Sequence, residues 1–496
     1  MLRCGMSALS HPAAQKYAAH VNAAFVKVLG AFGSGRIWVR AKGTSLWDAD
    51  GREYLDFLSA SGAASLGHNS PKVLERLREV LADDAAGFAE AGVSVAAADL
   101  AAALAKLAAP LTRVMPATTR GEAVDGAIML ARAATKRKAL VHCKGGFHGT
   151  SLGGLSVSGH GRLRDPFEPL LGECFEIPFD DVTALAKILE DKKPAAFVVE
   201  AIQVAAGVIV PRPGYLRKAQ ELCTKFGTLL VLDEAQTGLG RTGKMFAYEH
   251  EGFVPDVLVL GEALGAGLVP VSATLTTPEI HDRAYGKMDR YDLQGSPSGN
   301  ALGWRVAIAV LETLERDALP DAARERGEQL LERLRDEVGG HPFVKAVRGR
   351  GLLVGLELGP TRSSGILGRL LPGLVEGLSR RIFGQWLAVR LLEQGIVAQP
   401  ASQQWNVLEL QPPFTVTEDE VERVVGAITD IFAEYKDLKA LLADAGQRFG
   451  SQLLAGWSSR RVPAGASRLE RTPARPLPLA SSRLLQETPP RHERRT

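Results

Sequence analysis

The sequence predicts an α/β fold built on a parallel sheet with crossover helices, and three features of the chain predict it. Short runs rich in branched apolar residues recur: AAFVVEAI (195–202), TLLVLDEA (228–235) and VLVL (257–260), each of strand length. Between the first two, GYLRKAQELCTKFG (214–227) has helical spacing and a terminal Gly, so strand, helix and strand follow one another as a crossover requires. Polar residues gather where these runs end: Glu200 after FVV, Asp233, Glu234 and Gln236 after TLLVL, and Glu262 after VLVLG. One such acid is no more than a solvated or capping carboxylate. Several at consecutive strand ends mark a cleft, because ligands of open parallel sheets bind beyond the carboxyl ends of the strands.

The other elements follow in order. LWDADGREYLDFL (46–58) reads as a hairpin, two strand-like pieces joined at the turn signal Asp50-Gly51. PKVLERLREVL (71–81) has helical spacing behind a Pro, and GEAVDGAIMLARAAT (121–135) is a second helix. A long helix is expected after Asn300, then a βαβ-like stretch near 343–432. No internal repeat is visible.

The 496 residues, 46% hydrophobic and 23% charged, suffice for two or three domains with a large core. Cys4, Cys143, Cys174 and Cys223 are scattered, with no CxxC and no histidine at ligand spacing, which predicts free thiols in a reducing compartment and no metal site. No apolar run reaches membrane-spanning length, and MLRCGMSALSHPAAQ lacks a signal peptide's apolar stretch, so a cytoplasmic location is expected. The net charge of +3 is uneven. Residues 451–496 hold nine arginines against three glutamates, so residues 1–450 carry −3. The body therefore offers no electrostatic reason to bind nucleic acid. The tail is rich in Pro, Arg and Ser without apolar periodicity, and is expected to be disordered over 458–496, either as a solvated appendage or as a contact for an anionic partner.

The segment DEAQTGLGRTGKMFAYEHEGFVPDVLVLGEALGAGLVPVSA (233–273) resembles DEVQTGxGRTGxxFAxExxxxxPDxxxxxKALGGGxPxxA of the class III, pyridoxal phosphate (PLP) dependent aminotransferases. LGHNSP (66–71), GGFHG (145–149), VVEAIQ (198–203), PGYL (213–216) and RGRGLLVGLEL (348–358) stand in family order, and the likeness spans roughly 20–445, with an ornithine and putrescine flavour. It implies fold type I: a mostly parallel seven-stranded sheet in a large domain plus a smaller α+β C-terminal domain, in a homodimer with active sites at its interface. The implied division is 1–65 as a segment contributing to the small domain, 66–335 as the large domain and 336–450 as the small one. Asp233 matches the acid that pairs with the pyridinium nitrogen, Gln236 the residue near the ring hydroxyl, and Phe147 the aromatic that stacks on the ring, a position that packing alone would also explain. Ser296 matches the hydroxyl that reaches the neighbouring subunit's cofactor phosphate.

The departures carry as much information. Glu262 falls where the family has its Schiff-base lysine, and a carboxylate cannot condense with an aldehyde. Lys144 and Lys244 are the nearest alternatives and neither is well placed. The phosphate cup, a run of small residues at a helix N-terminus in the family, reads Thr118-Thr119-Arg120-Gly121-Glu122-Ala123. Arg120 either blocks the close approach of backbone to phosphate or binds phosphate by its own side chain. At the substrate end the family's Glu–Arg switch is replaced by Ala205 and Glu409, near Glu200.

These residues lead to an aminotransferase-like protein that does not transaminate through lysine and serves as a binding, regulatory or scaffolding subunit. PLP binding is expected to be non-covalent if it occurs. A small amine or amino acid is the ligand class, and an active aminotransferase paralogue joins a second copy as candidate partner. The alternatives are a PLP enzyme with Glu262 as base, and cofactor-free acid–base chemistry by Glu262, Asp233 and His148, although GGFHG makes His148 structural. A further expectation is that the Arg120 side chain pairs with the Glu262 carboxylate and fills the cofactor's space.

Overall fold

The computed structural model describes residues 10–83, 92–289, 300–359, 372–435, 440–441 and 443–448. Its first strands form the expected hairpin. After β1 (Trp38–Lys42), β2 (Ser45–Asp48) and β3 (Glu53–Asp56) pair antiparallel, with Leu46 opposite Tyr54. The turn between them is held by the Asp48 carboxylate, which accepts the N–H groups of Asp50 and Arg52 at 3.1 and 2.9 Å, while Gly51 takes φ +78°.

The central sheet has seven strands: β4 (Arg113–Ala117), β5 (Leu140–Cys143), β6 (Cys174–Ile177), β7 (Ala196–Glu200), β8 (Leu229–Asp233), β9 (Val257–Leu260) and β10 (Ser272–Thr276). Their order is β4-β10-β9-β8-β7-β5-β6, parallel except for β10, which runs antiparallel to both neighbours. The apolar runs are continuous because both faces are covered. Ala196, Val198, Leu229, Val231, Val257 and Val259 face one core, which includes Val124, Ala127 and Ile128 of helix α1 (Arg120–Thr135). Phe197, Val199, Leu230, Leu232, Leu258 and Leu260 face the other core, which includes Leu216, Ala219 and Cys223 of α2 (Tyr215–Phe226) and Val306 and Val310 of α3 (Ala301–Arg316). This alternation is the strand period of two, applied to a sheet with no wet side.

Beyond α4 (Leu319–Val338) a four-stranded sheet follows, β11 (Val344–Gly349), β12 (Val354–Leu358), β14 (Gln399–Ala401) and β15 (Gln404–Leu410), in the order β11-β12-β15-β14 and antiparallel throughout. The βαβ-like expectation for 343–432 is thus corrected. Residues 350–353 are too few for a crossover, which needs a dozen or more, so β11 and β12 must form a hairpin. The intervening helix α5 (Pro372–Glu393) leads instead to β13 (Ile396–Val397), which adds in parallel to β3. Helix α6 (Glu418–Ala433) follows, behind a capping box of Thr417 and Glu420.

Cys143, Cys174 and Cys223 are free thiols, as expected. No helix among the described residues is long and apolar enough to cross a membrane. Cys4, Ser296 and the tail segment 458–496 lie outside the described residues.

Candidate functional site

The carboxyl ends of β7, β8 and β9 open into a cavity of about 620 Å³. Its wall is assembled from distant stretches: Ser61, the start of α1, Phe147 and residues 149–151 after β5, Ala205 after β7, Gln236 and Glu262 after β8 and β9, and Glu409 on β15. Two glycines set the spacing. A Cβ on Gly261 would lie 2.7 Å from Ala235 Cβ, so the turn after β9 seats against the turn after β8 only with Gly there, and Glu262 follows it onto the wall. Gly149, at φ +95°, brings the loop after β5 against the first turn of α1, where its Cβ would meet Gly121 Cα at 3.3 Å.

Helix α1 starts at a polar cap. Thr119 Oγ1 accepts the Glu122 N–H at 3.3 Å, and Glu122 Oε2 accepts the Thr118 N–H at 2.7 Å. The first helical N–H, that of Arg120, donates to Glu262 Oε1 at 3.0 Å. A carboxylate therefore sits on the positive end of a sixteen-residue helix, where anions are favoured.

The Arg120 side chain turns the other way, into the protein, and is buried. Its Nε and Nη2 donate to Asp233 Oδ2 at 3.2 and 2.7 Å. Nη2 also donates to the Phe147 carbonyl oxygen and reaches Glu200 Oε1 at 3.5 Å. The guanidinium carbon lies 5.2 Å from the centre of the Phe147 ring. Asp233 and Glu200 stand side by side because β7 and β8 pair them in register. The other Asp233 contacts are His148 Nδ1 at 2.8 Å on Oδ2 and the Ala235 N–H at 3.0 Å on Oδ1. Burial would raise the Asp233 pKa, but the charge of Arg120 and the His148 hydrogen bond outweigh it and hold the carboxyl at about 2. Glu200 is pushed up by burial, against the charges of His148 and Arg120, and its Oε2 accepts the Phe147 N–H at 3.0 Å.

At the far wall Glu409 is buried and accepts a hydrogen bond from Gln411 Nε2. Burial pushes its carboxyl up to about 8, only partly offset by Gln411 and the charge of Arg241. Arg241 is buried too, donates to the Leu352 carbonyl at 3.1 Å and to that of Pro412, and packs 4.5 Å from the Phe414 ring centre. Burial lowers its pKa to about 9, against the charge of Glu409. Arg241 was not among the expected site residues, although it stands in the GRTG run of the sequence.

The family model for class-III aminotransferases matches residues 33–432, most of the chain. The chain belongs to the class-III aminotransferases. Among its relatives, aminotransferase PigE of a Serratia species is 32% identical over 84% of this chain, although the match spans only 53% of PigE. Mitochondrial ornithine aminotransferase of Rattus norvegicus is 36% identical over 78% of this chain and 84% of its own length. The crystal structure of the Toxoplasma gondii ornithine aminotransferase superposes with a TM-score of 0.71 at 31% identity, covering 81% of this chain and 91% of that one. The fold is that of PLP-dependent aminotransferases of fold type I.

Within this class-III fold the expected site residues come together with three corrections. Gln236, Phe147, Thr119, Arg120, Gly121, Ala205, Glu262 and Glu409 all line the cavity, whereas the exposed Lys144 and Lys244 do not. The Arg120 side chain does not pair with the Glu262 carboxylate: it ion-pairs with Asp233, and Glu262 takes the backbone N–H instead. Glu200 is not at the substrate end; it lies off the cavity wall, beneath Arg120 and the Phe147 loop. The trio of Glu262, Asp233 and His148 is not a shared acid–base site. His148 is fully buried and both Asp233 oxygens are engaged, so only Glu262 faces the cavity.

Pyridoxal phosphate does not fit these residues as they are arranged. The acid expected to receive a pyridinium N–H already holds a guanidinium, the aromatic expected to stack on a ring carries that same guanidinium, and the first N–H of α1 is spent on a carboxylate. No lysine is among the described residues lining the cavity.

Proposed function

We propose that this class-III aminotransferase-fold protein does not transaminate through a lysine, and acts as a binding, regulatory or scaffolding subunit, most simply as a homodimer. The observation that carries the reading is Glu262: it stands on the cavity wall directly after β9, where the resemblance puts the family lysine, and its carboxylate engages the first N–H of α1. A carboxylate lacks the nucleophilic amine that the lysine-dependent reaction uses. The names of the ornithine aminotransferase relatives make a small amine or amino acid the ligand class to screen, with an active class-III aminotransferase as a second partner to test.

Borohydride reduction in the presence of PLP, followed by peptide mass spectrometry, tests the reading. No stoichiometric pyridoxyl adduct is expected on any lysine. A full-occupancy adduct on Lys144, Lys244 or another single lysine overturns it.

A further inference from the structure

We propose that Arg120 and Glu262 act together as a built-in occupant of the cofactor's binding groups, so that the chain excludes PLP even as a non-covalent ligand. The inference rests on the reading that Glu262 replaces the cofactor-binding lysine, and extends it from the covalent bond to the whole site.

A PLP ring needs two things from this fold's pocket, a carboxylate for its ring N–H and an aromatic face. The Arg120 guanidinium takes both. It is planar and cationic, it donates to Asp233 Oδ2 at 2.7 and 3.2 Å, and it lies 5.2 Å from the Phe147 ring centre. The cofactor's other end is an anion, and a helix N-terminus is its natural seat. Here Glu262 Oε1 accepts the Arg120 N–H at 3.0 Å, so an anion belonging to the chain already sits there. One residue thus supplies the cation through its side chain and anchors the anion through its backbone.

The alternative is that Arg120 fills vacant space as ordinary packing and yields to cofactor. The geometry speaks against it. The side chain is buried and donates to Asp233, Phe147 and Glu200 together, so its removal strips compensation from two buried carboxylates at once. An occupant tethered to the site competes without dilution, and the apparent affinity for PLP falls by the fraction of time the site stands open.

Two probes are titrated into the full chain, PLP and pyridoxamine phosphate, which has no aldehyde to react with surface lysines. Binding is read by circular dichroism in the near-ultraviolet band of pyridoxamine phosphate and the visible band of PLP, and by melting temperature. The wild-type protein is expected to give no saturable signal with either. A double variant, Arg120→Gly with Glu262→Ala, empties both seats; it is expected to melt lower without ligand, to regain melting temperature with either probe, and to saturate at concentrations at least about a hundredfold below the highest at which the wild type gives no signal. Glu262→Lys alone is expected to stay colourless with PLP, since Arg120 still holds Asp233. Stoichiometric binding by the wild type overturns the inference. So does colour in Glu262→Lys, or a double variant whose melting temperature neither probe raises, however well it folds. Wild-type binding without a borohydride-fixed adduct sinks this inference and leaves the proposed function standing, whereas a fixed adduct sinks both.

Discussion

Arg120 shows how one residue's backbone and side chain can serve opposite charges. Its N–H points out of the start of α1 and meets Glu262, while its side chain is long enough to reach the end of β8. The expected side-chain pair with Glu262 failed because a deeper demand won. Asp233 and Glu200 are adjacent buried carboxylates, and a guanidinium gains more by neutralising them than by joining a half-buried one. Glu409 is the second informative residue. With its folded pKa raised to about 8 by burial, the native state holds a proton there that the unfolded chain releases near the ordinary glutamate value. Its contribution is therefore fully present below about pH 4.5 and is lost as pH rises through about 8. Glu409→Gln should flatten the fall in stability between pH 5 and pH 8, making the variant relatively more stable at pH 8 by roughly 3 kcal/mol, about 1.4 kcal/mol for each pH unit crossed. Urea melts at the two pH values check this, and an unchanged slope would show Glu409 to be ionised in the fold. Glu234, held at about 8 by burial, leaves part of the slope in both proteins.

Among the elements, α1 contributes most to the site, and its start depends on a short polar cap. Thr119 Oγ1 caps the Glu122 N–H at 3.3 Å, and its extended backbone, φ −126° and ψ 157°, turns β4 into the helix. Thr119→Ala should cost about 1 kcal/mol in chemical denaturation, with Thr119→Ser recovering most of it. Equal losses from both variants would place the stabilisation elsewhere than in the hydroxyl. The helices and hairpin were legible because each is a local event: a Pro start for 71–82, a Gly end for α2, an Asp-Gly turn for β2 and β3. In the sheet of β11, β12, β14 and β15 strand direction is set by the partner, and the one signal in the sequence was the short link 350–353, which has too few residues for a crossover.

For the whole molecule, the cavity depends on bringing together residues from Ser61 to Glu409, and no local pattern reports such a meeting. The parallel order β9-β8-β7-β5 places successive strand ends side by side, which is why the acids at 200, 233 and 262 converge. The basic tail is expected to contribute nothing to this arrangement, since its composition buries little apolar surface. Removing residues 458–496 should leave the melting temperature and the oligomeric state, read by sedimentation equilibrium, unchanged. A clear fall in melting temperature would mean that the tail docks on the body, and a salt-sensitive loss of a partner would give it an electrostatic role.

What the sequence determined by itself was the α/β class, the central strands, the family, and the candidate residues at the strand ends. Those are written in periodicity and in ordered motifs, which survive without knowledge of distance. Only the tertiary structure decided how those residues are used. Which carboxylate Arg120 would neutralise depended on burial and on the register of β7 against β8, and so did the removal of Glu200 and His148 from the working wall. Charge pairing is a competition among all groups within reach, and reach is a property of the folded chain.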